Sequence, residues 1–141
     1  MFLLDTDHVS IMMSQQQPGY GVLLVRMGAH PPSAFYRSIV SFHEQLLGAH
    51  TRIVQAKVPH GLLKGYEYLE RIRADYEGTQ VAVFDQAALT VFDGLVKQRV
   101  RIGTRDLRIA SMALACNFTL LTRNTSDFSQ VPGLAFDDWT K

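Results

Sequence analysis

The stretch from Thr104 to Phe128 constrains the fold most, because it places a helix and a buried strand in direct succession. Apolar residues recur at helical spacing after Thr104, a good N-cap, and Asn117 is suited to a left-handed C-cap. Phe118 to Thr122 is then a short apolar run rich in strand formers, with polar residues directly after it. We therefore expect a helix from about Arg105 and a buried parallel strand behind it.

Two carboxylates lie at the two ends of this helix-strand unit. Asp106 falls in the first helical turn, where the helix dipole favours an acid, and Asp127 is an ordinary loop residue beyond the strand. Each has a sufficient structural explanation on its own. However, ligands of open α/β sheets bind outside the carboxyl ends of the strands, so matching acids elsewhere would indicate a site.

The remaining chain alternates short apolar runs with helical segments. The predicted strands are Phe2 to Leu4, Phe35 to Val40, Val81 to Phe84 and a short final one near Leu134 to Phe136. A helix capped by Ser41 and another that begins at Pro59 form a hairpin, and Asp85 caps a further helix. This order predicts an α/β fold with a mostly parallel central sheet of four or five strands and helices on both faces.

Composition bounds the class of protein. The chain has 141 residues, 47% apolar and 19% charged, which suits one domain over residues 1–141. Its single cysteine, Cys116, excludes an internal disulfide and is predicted to be a buried thiol in a reducing compartment. The start lacks a basic signal-peptide region and no apolar run reaches the ~20 residues of a membrane span, so a cytoplasmic location without membrane contact is expected.

Positive charge is local rather than general. The formal net charge of +1 excludes a broadly basic nucleic-acid binder. The segment from Lys97 to Arg108 nevertheless concentrates cations beside Asp106, and its candidates for contacting RNA phosphates are Arg99, Arg101, Arg105 and Arg108.

Four acids follow strands or open helices: Asp5, Glu44, Asp106 and Asp127. Glu44 also completes an S-x-x-E capping box with Ser41, which would explain it structurally. Four carboxylates in one cleft repel one another unless a hard divalent cation neutralises them, and Mg²⁺ or Mn²⁺ suits that task. The pattern predicts a metal site that could serve chemistry at phosphorus.

Several motifs together resemble the PIN-domain ribonucleases, in particular the VapC-type toxins of bacterial toxin-antitoxin pairs. They are L-L-D-T-D-H at the start, E-Q-L-L-G, D-L-R-I-A-S-M-A-L, and L-L-T-R-N-T-S-D-F with V-P-G-L behind it. The match spans nearly the whole chain. By resemblance the acidic quartet is Asp5, Glu44, Asp106 and Asp127, and the supporting residues are Thr6, Asp7, Thr122 and Asn124.

The resemblance implies a PIN-like metal-dependent endoribonuclease that cleaves structured RNA of the tRNA or rRNA class. Asp5, Asp106 and Asp127 would hold Mg²⁺, with Mn²⁺ able to substitute. The family also implies a homodimer and a cognate antitoxin that inserts a basic side chain among the carboxylates.

Two alternatives stay open at this point. F-L-L-D-T-D-H-V also fits a haloacid-dehalogenase-like phosphatase, with Asp5 as nucleophile and Asp7 as its acid, although no lysine-bearing helix precedes the late pair Asp137 and Asp138. A non-catalytic α/β signalling or binding module is the second. The histidines show no short zinc spacing, and no G-x-S-x-G serine motif is present.

Overall fold

A computed structural model describes all 141 residues. Its five strands pair in parallel throughout to form one sheet in the order β3-β2-β1-β4-β5. The strands are β1 (Phe2–Leu4), β2 (Phe35–Ser38), β3 (Gln80–Ala82), β4 (Thr119–Leu121) and β5 (Phe136–Asp137). The helices are α1 (Thr6–Ser14), α2 (Gly19–Met27), α3 (Ile39–Val54), α4 (Pro59–Tyr76), α5 (Gln86–Lys97), α6 (Thr104–Cys116) and α7 (Thr125–Phe128).

The sheet is covered on both faces, as the alternating sequence pattern predicts. Successive strand residues point to opposite faces, so Leu3 and Leu120 lie in the larger core with residues of α5 and α6. Leu4 and Leu121 lie in a smaller core that contains residues of α1 and α2 and the side chain of Trp139. The sequence-based fold class is confirmed.

Of the four predicted caps, two are found and two are displaced. Asp85 accepts a hydrogen bond from the Ala88 backbone N–H at 3.0 Å at the start of α5, and Asn117 ends α6 in the left-handed conformation with φ 53°. The prediction that Thr104 caps α6 is wrong, because the helix already includes Thr104 and its cap is Gly103.

The start of α3 differs from the sequence-based expectation, with a consequence for the site. Ser38 is its cap and accepts the Ser41 backbone N–H at 2.8 Å. β2 is shorter than expected and ends at Ser38, so Ser41 lies inside the helix and cannot open a capping box. The predicted Ser41–Glu44 box is therefore wrong, and the carboxylate of Glu44 is free for other contacts.

Cys116 also departs from expectation. It is exposed rather than buried, because the inward face of α6 ends at Ala113 and Cys116 occupies the last turn. None of the helices is both long enough and apolar enough to cross a membrane.

The hairpin of α3 and α4 packs its helices closely. A Cβ added to Gly65 would lie 2.8 Å from Cγ1 and 3.2 Å from the backbone nitrogen of Ile53 on the facing helix. The outer surface of α4 leaves Leu63 and Tyr66 each 54% exposed.

Candidate active site

The sheet order places β1 in the centre and β4 beside it, so the residues after these two strands meet at one edge. Asp5 follows β1, and its backbone N–H donates to the Leu121 carbonyl oxygen at 2.9 Å. Its carboxylate accepts the Thr6 backbone N–H at 2.7 Å, which caps α1, and the Thr122 hydroxyl at 2.8 Å. Both carboxylate oxygens of Asp5 are therefore fixed by neighbouring residues.

Glu44 reaches the same edge from the first turns of α3. The hydroxyl oxygen of Thr6 lies 2.7 Å from Glu44 Oε2 and 2.9 Å from the hydroxyl of Ser41. A carboxylate is the stronger acceptor, so we assign the Thr6 proton to Glu44. The other carboxylate oxygen of Glu44 forms an ion pair with Arg105 at the start of α6.

Asn124 connects the remaining two acids. Its side-chain amide nitrogen lies 3.2 Å from Asp106 Oδ2 and 2.9 Å from Asp127 Oδ2. Asp127 lies in α7, a four-residue helix that the sequence pattern reads as a loop. The Thr122 hydroxyl accepts the Asn124 backbone N–H at 3.1 Å, so one short segment orients three acids.

The acids perturb one another. Burial and, to a lesser extent, the negative charge of Asp7 raise the pKa of Asp5 to about 6, against the opposing effect of the hydrogen bond from Thr122. Burial also raises the pKa of Asp106, against the opposing influence of Arg105. Clustered carboxyls with raised pKa values are typical of functional sites.

A cleft of about 310 Å³ is formed at this edge, and no apolar side chain lines it. Its lining residues are Asp5, Thr6, Asp7, Ser10, Glu44, Arg105, Asp106 and Asn124. Asp127 is connected to the cleft through Asn124 rather than lining it. In this arrangement no three His, Cys, Asp or Glu side chains are grouped so that they could hold one ion together. The oxygen-only donor set fits a hard cation such as Mg²⁺, which binds through one or two carboxylates and retains several waters.

The four arginines predicted to contact RNA fall into two groups. Arg105 is held at the cleft by Glu44 and is therefore engaged with an acid of the site. Arg99, Arg101 and Arg108 are exposed on and before α6. Of the four, only Arg105 lines the acidic cleft.

One buried residue beside the cleft, His8, is not predicted from the sequence. His8 lies in the first turns of α1 with none of its surface exposed, and its ring contacts Asp7. The sequence signal was its position next to Asp7 in a segment whose other inward residues, Val9 and Ile11, are apolar.

Comparison with known proteins finds relatives that are VapC ribonucleases. Ribonuclease VapC1 of Haemophilus influenzae strain R2866 is 37% identical over 144 aligned positions, covering 100% of this chain and 99% of the relative. Ribonuclease VapC2 of Rickettsia felis is 27% identical over 117 positions, covering 78% and 87%. No family model matches the chain.

Solved structures share the fold. VapBC-1 from nontypeable Haemophilus influenzae superposes with a TM-score of 0.77 at 24% identity, covering 99% of this chain and 98% of that chain. VapBC2 from Rickettsia felis, bound to a promoter DNA fragment, gives 0.74 at 20% identity and covers 98% of both chains.

The parallel sheet and its neighbours define a PIN-like α/β protein. Within that class, the full-length similarity to ribonuclease VapC1 shows that the chain belongs to the VapC family of ribonucleases. Because the chain belongs to this family, the two alternative interpretations, a phosphatase and a non-catalytic module, are set aside.

Proposed function

We propose that this VapC-type ribonuclease, the toxin of a toxin-antitoxin pair, cleaves structured RNA with Mg²⁺ bound at the acidic cleft, and that Mn²⁺ can substitute. The observation that supports the metal is the cleft itself, which is lined by carboxylates without an apolar residue and contains an Asp5 whose pKa is raised to about 6. A cation there would favour the ionised form of the carboxylates and lower their pKa values.

Each acid has a separate task in this proposal. Asp5 and Asp106 would hold the ion, and Asp127, which contacts the same Asn124 amide as Asp106, would complete the cage or orient water. Glu44, whose other carboxylate oxygen is paired with Arg105, would orient water at the ion. When bound, the divalent ion supplies Lewis acidity, which activates water and offsets negative charge at the phosphodiester.

The supporting polar residues hold these acids in place. The Thr122 hydroxyl bonds to Asp5, the Thr6 hydroxyl to Glu44, and the Asn124 amide to Asp106 and Asp127. Such outer contacts commonly contribute 10–100-fold to metal affinity or activity. We therefore assign Thr6, Thr122 and Asn124 to orienting the carboxylates.

A matched set of variants tests the metal chemistry. Asp5→Asn and Asp106→Asn each remove a carboxylate of the cleft, and we expect at least a hundredfold loss of RNA cleavage in Mg²⁺. Asp93→Asn, at an exposed position on α5, is the control and keeps full activity. Cleavage that survives excess EDTA, or a fully active Asp5→Asn variant, contradicts the proposal.

The exposed arginines are proposed to track RNA phosphates. If each arginine neutralises one phosphate, Arg99→Gln and Arg101→Gln should each flatten the slope of log affinity against log salt by roughly 0.7–0.9. The effect should not depend on RNA sequence. If the salt slope of these variants equals that of the unaltered protein, Arg99 and Arg101 do not contact the RNA phosphates.

The substrate is proposed to be a structured RNA of the tRNA or rRNA class. Sequencing the 5′ ends of cellular RNA after a brief induction of expression would identify the cleavage sites. Cuts confined to unstructured messenger RNA would contradict this part of the proposal.

A cognate antitoxin is proposed as the partner, since the structural relatives include VapBC complexes. A basic side chain of such a partner placed among the carboxylates would compete with Mg²⁺ for the same charge. Expression of this chain alone should arrest growth, and co-expression of an adjacent antitoxin reading frame should restore it. A harmless chain that binds no such product would contradict the assignment.

A further inference from the structure

His8 is a fully buried residue whose two ring nitrogens both have partners. Nδ1 lies 2.8 Å from Asp7 Oδ1, and Nε2 lies 3.3 Å from the backbone nitrogen of Trp139. A backbone N–H can only donate, so Nε2 accepts and the ring proton resides on Nδ1, from which it is donated to Asp7. Asp138 Oδ1 is 3.9 Å from Nε2, beyond hydrogen-bond distance, and is occupied by Thr140.

Asp7 is held at both of its carboxylate oxygens. Oδ1 accepts from His8, and Oδ2 accepts the Arg123 backbone N–H at 2.8 Å. Arg123 directly follows Thr122, which bonds to Asp5. Asp7 lines the acidic cleft, and after burial its charge is the largest cause of the raised pKa of Asp5. The position of the Asp7 carboxylate therefore sets part of the field at the cleft.

The other partner of His8 belongs to a firmly attached segment. The Trp139 ring packs against Phe2 and His30, with ring centroids 4.7 Å and 5.5 Å apart, and its indole N–H donates to Asp137 at 2.9 Å. Arg26 of α2 donates to the Lys141 carbonyl oxygen at 2.9 Å. These contacts hold residues 137–141 in place beside α1.

From this chain of contacts we infer that His8 is a positioning residue, whose Nδ1 proton holds the Asp7 carboxylate at the proposed cation site of the cleft. The inference rests on the proposed function. Without the hydrogen bond from Nδ1, the Asp7 carboxylate keeps only the bond from the Arg123 backbone N–H. Its side chain, which is 30% exposed, can then turn toward solvent. The metal site then loses a fixed negative charge.

Two substitutions separate this role from simple packing. The amide nitrogen of asparagine falls near the place of Nδ1, so His8→Asn can still donate to Asp7. The longer glutamine places its amide near Nε2, so His8→Gln can satisfy Trp139 but not Asp7. Both remove a buried ring and should lower the melting temperature to a similar extent.

Calorimetric titration with Mn²⁺ of the purified protein is the decisive measurement. We expect His8→Gln to bind Mn²⁺ 10–100-fold more weakly than the unaltered protein and His8→Asn to stay within about threefold of it. Equal affinities in the two variants, whether unchanged or lowered together with melting temperature, would overturn the inference.

Nitrogen NMR of the imidazole in the metal-free protein gives a readout that does not depend on the proposed function. It should show the proton of His8 on Nδ1, and a proton on Nε2 alone would contradict the arrangement. An unaltered protein that binds no Mn²⁺ would contradict the proposed metal chemistry instead, and RNA cleavage by the two variants would then replace Mn²⁺ affinity as the test of His8.

Discussion

At the scale of single residues, Asp5 lies in the cleft and its buried carboxylate lowers the free energy of unfolding. Its surface is only 6% exposed, and burial raises the pKa of its carboxyl from 3.8 to about 6. Between these two values the folded protein binds more protons than the unfolded chain, so ionisation of Asp5 lowers the free energy of unfolding as the pH rises. A shift of this size corresponds to about 3 kcal/mol, fully expressed above pH 6.

Urea unfolding between pH 4 and pH 7 in the absence of divalent ions checks this linkage. The Asp5→Asn variant should lose the contribution of Asp5 to the pH dependence between about pH 4 and pH 6, and the raised pKa of Asp106 should leave the rest. Asp93→Asn, which removes an exposed acid, should follow the unaltered protein. Identical pH profiles for Asp5→Asn and the unaltered protein would show that Asp5 does not titrate in this range.

Arg105 offers a second test at this scale, because its ion pair with Glu44 holds an acid that the metal site is proposed to use. The Arg105 side chain is 56% exposed, so the pair contributes at most about 1 kcal/mol. Arg105→Gln should therefore tighten Mn²⁺ binding by up to about fivefold in calorimetry. Arg108→Gln, one helical turn further along α6, is the control and should leave the affinity unchanged; a weaker affinity in Arg105→Gln would contradict the competition.

At the scale of elements, two helical glycines differ in what surrounds them. Gly65 faces the backbone of Ile53, whereas a Cβ at Gly94 of α5 would meet nothing within 4 Å. Gly65→Ala should force α3 and α4 apart and lower the free energy of unfolding by about 1–3 kcal/mol. Gly94→Ala should raise it by about 0.8–1 kcal/mol through helix propensity alone. Chemical denaturation measures both, and equal signs would contradict the close packing of the hairpin.

The element ends show what local sequence can and cannot predict. Asp85 and Asn117 each lie at a helix end where no neighbouring residue competes as the cap, so these caps could be predicted from residue type. Ser38 and Ser41 compete for the start of α3, and the choice depends on where β2 stops pairing with its neighbours, which the local pattern does not encode. The displaced cap is also what frees Glu44 for the cleft.

The site was predictable to the extent that it follows strand ends. Asp5 and Asp127 could be placed at one edge because they follow β1 and β4, parallel strands that end on the same side of the sheet. The contact of Glu44 with Arg105 depends on how α3 packs relative to α6, and the burial of His8 depends on Trp139 near the other end of the chain. Neither contact has a local sequence signal.

At the scale of the whole molecule, the exposed apolar surface of α4 bears on the proposed homodimer. Leu63 and Tyr66 are each 54% exposed on a helix that packs mainly against α3 along its inner side. If a second copy covers them, Tyr66→Asp should shift sedimentation from dimer to monomer. Val25→Asp, at a 78% exposed position on α2, should leave the dimer intact. A monomeric unaltered protein would contradict the dimer.

The central place of β1 determines when the nuclease can first exist during its own synthesis. Asp5 is made 117 residues before its hydroxyl partner Thr122, and β4 must be present before β1 has a neighbour on that side. At about 5–20 residues per second, a ribosome needs roughly 6 to 23 s to cover that distance. A growing chain therefore carries Asp5 and Glu44 without their final arrangement until β4 has been made. Ribosome-bound chains arrested before Thr119 should accordingly yield no protease-resistant core, whereas chains extended well past Asp137 should.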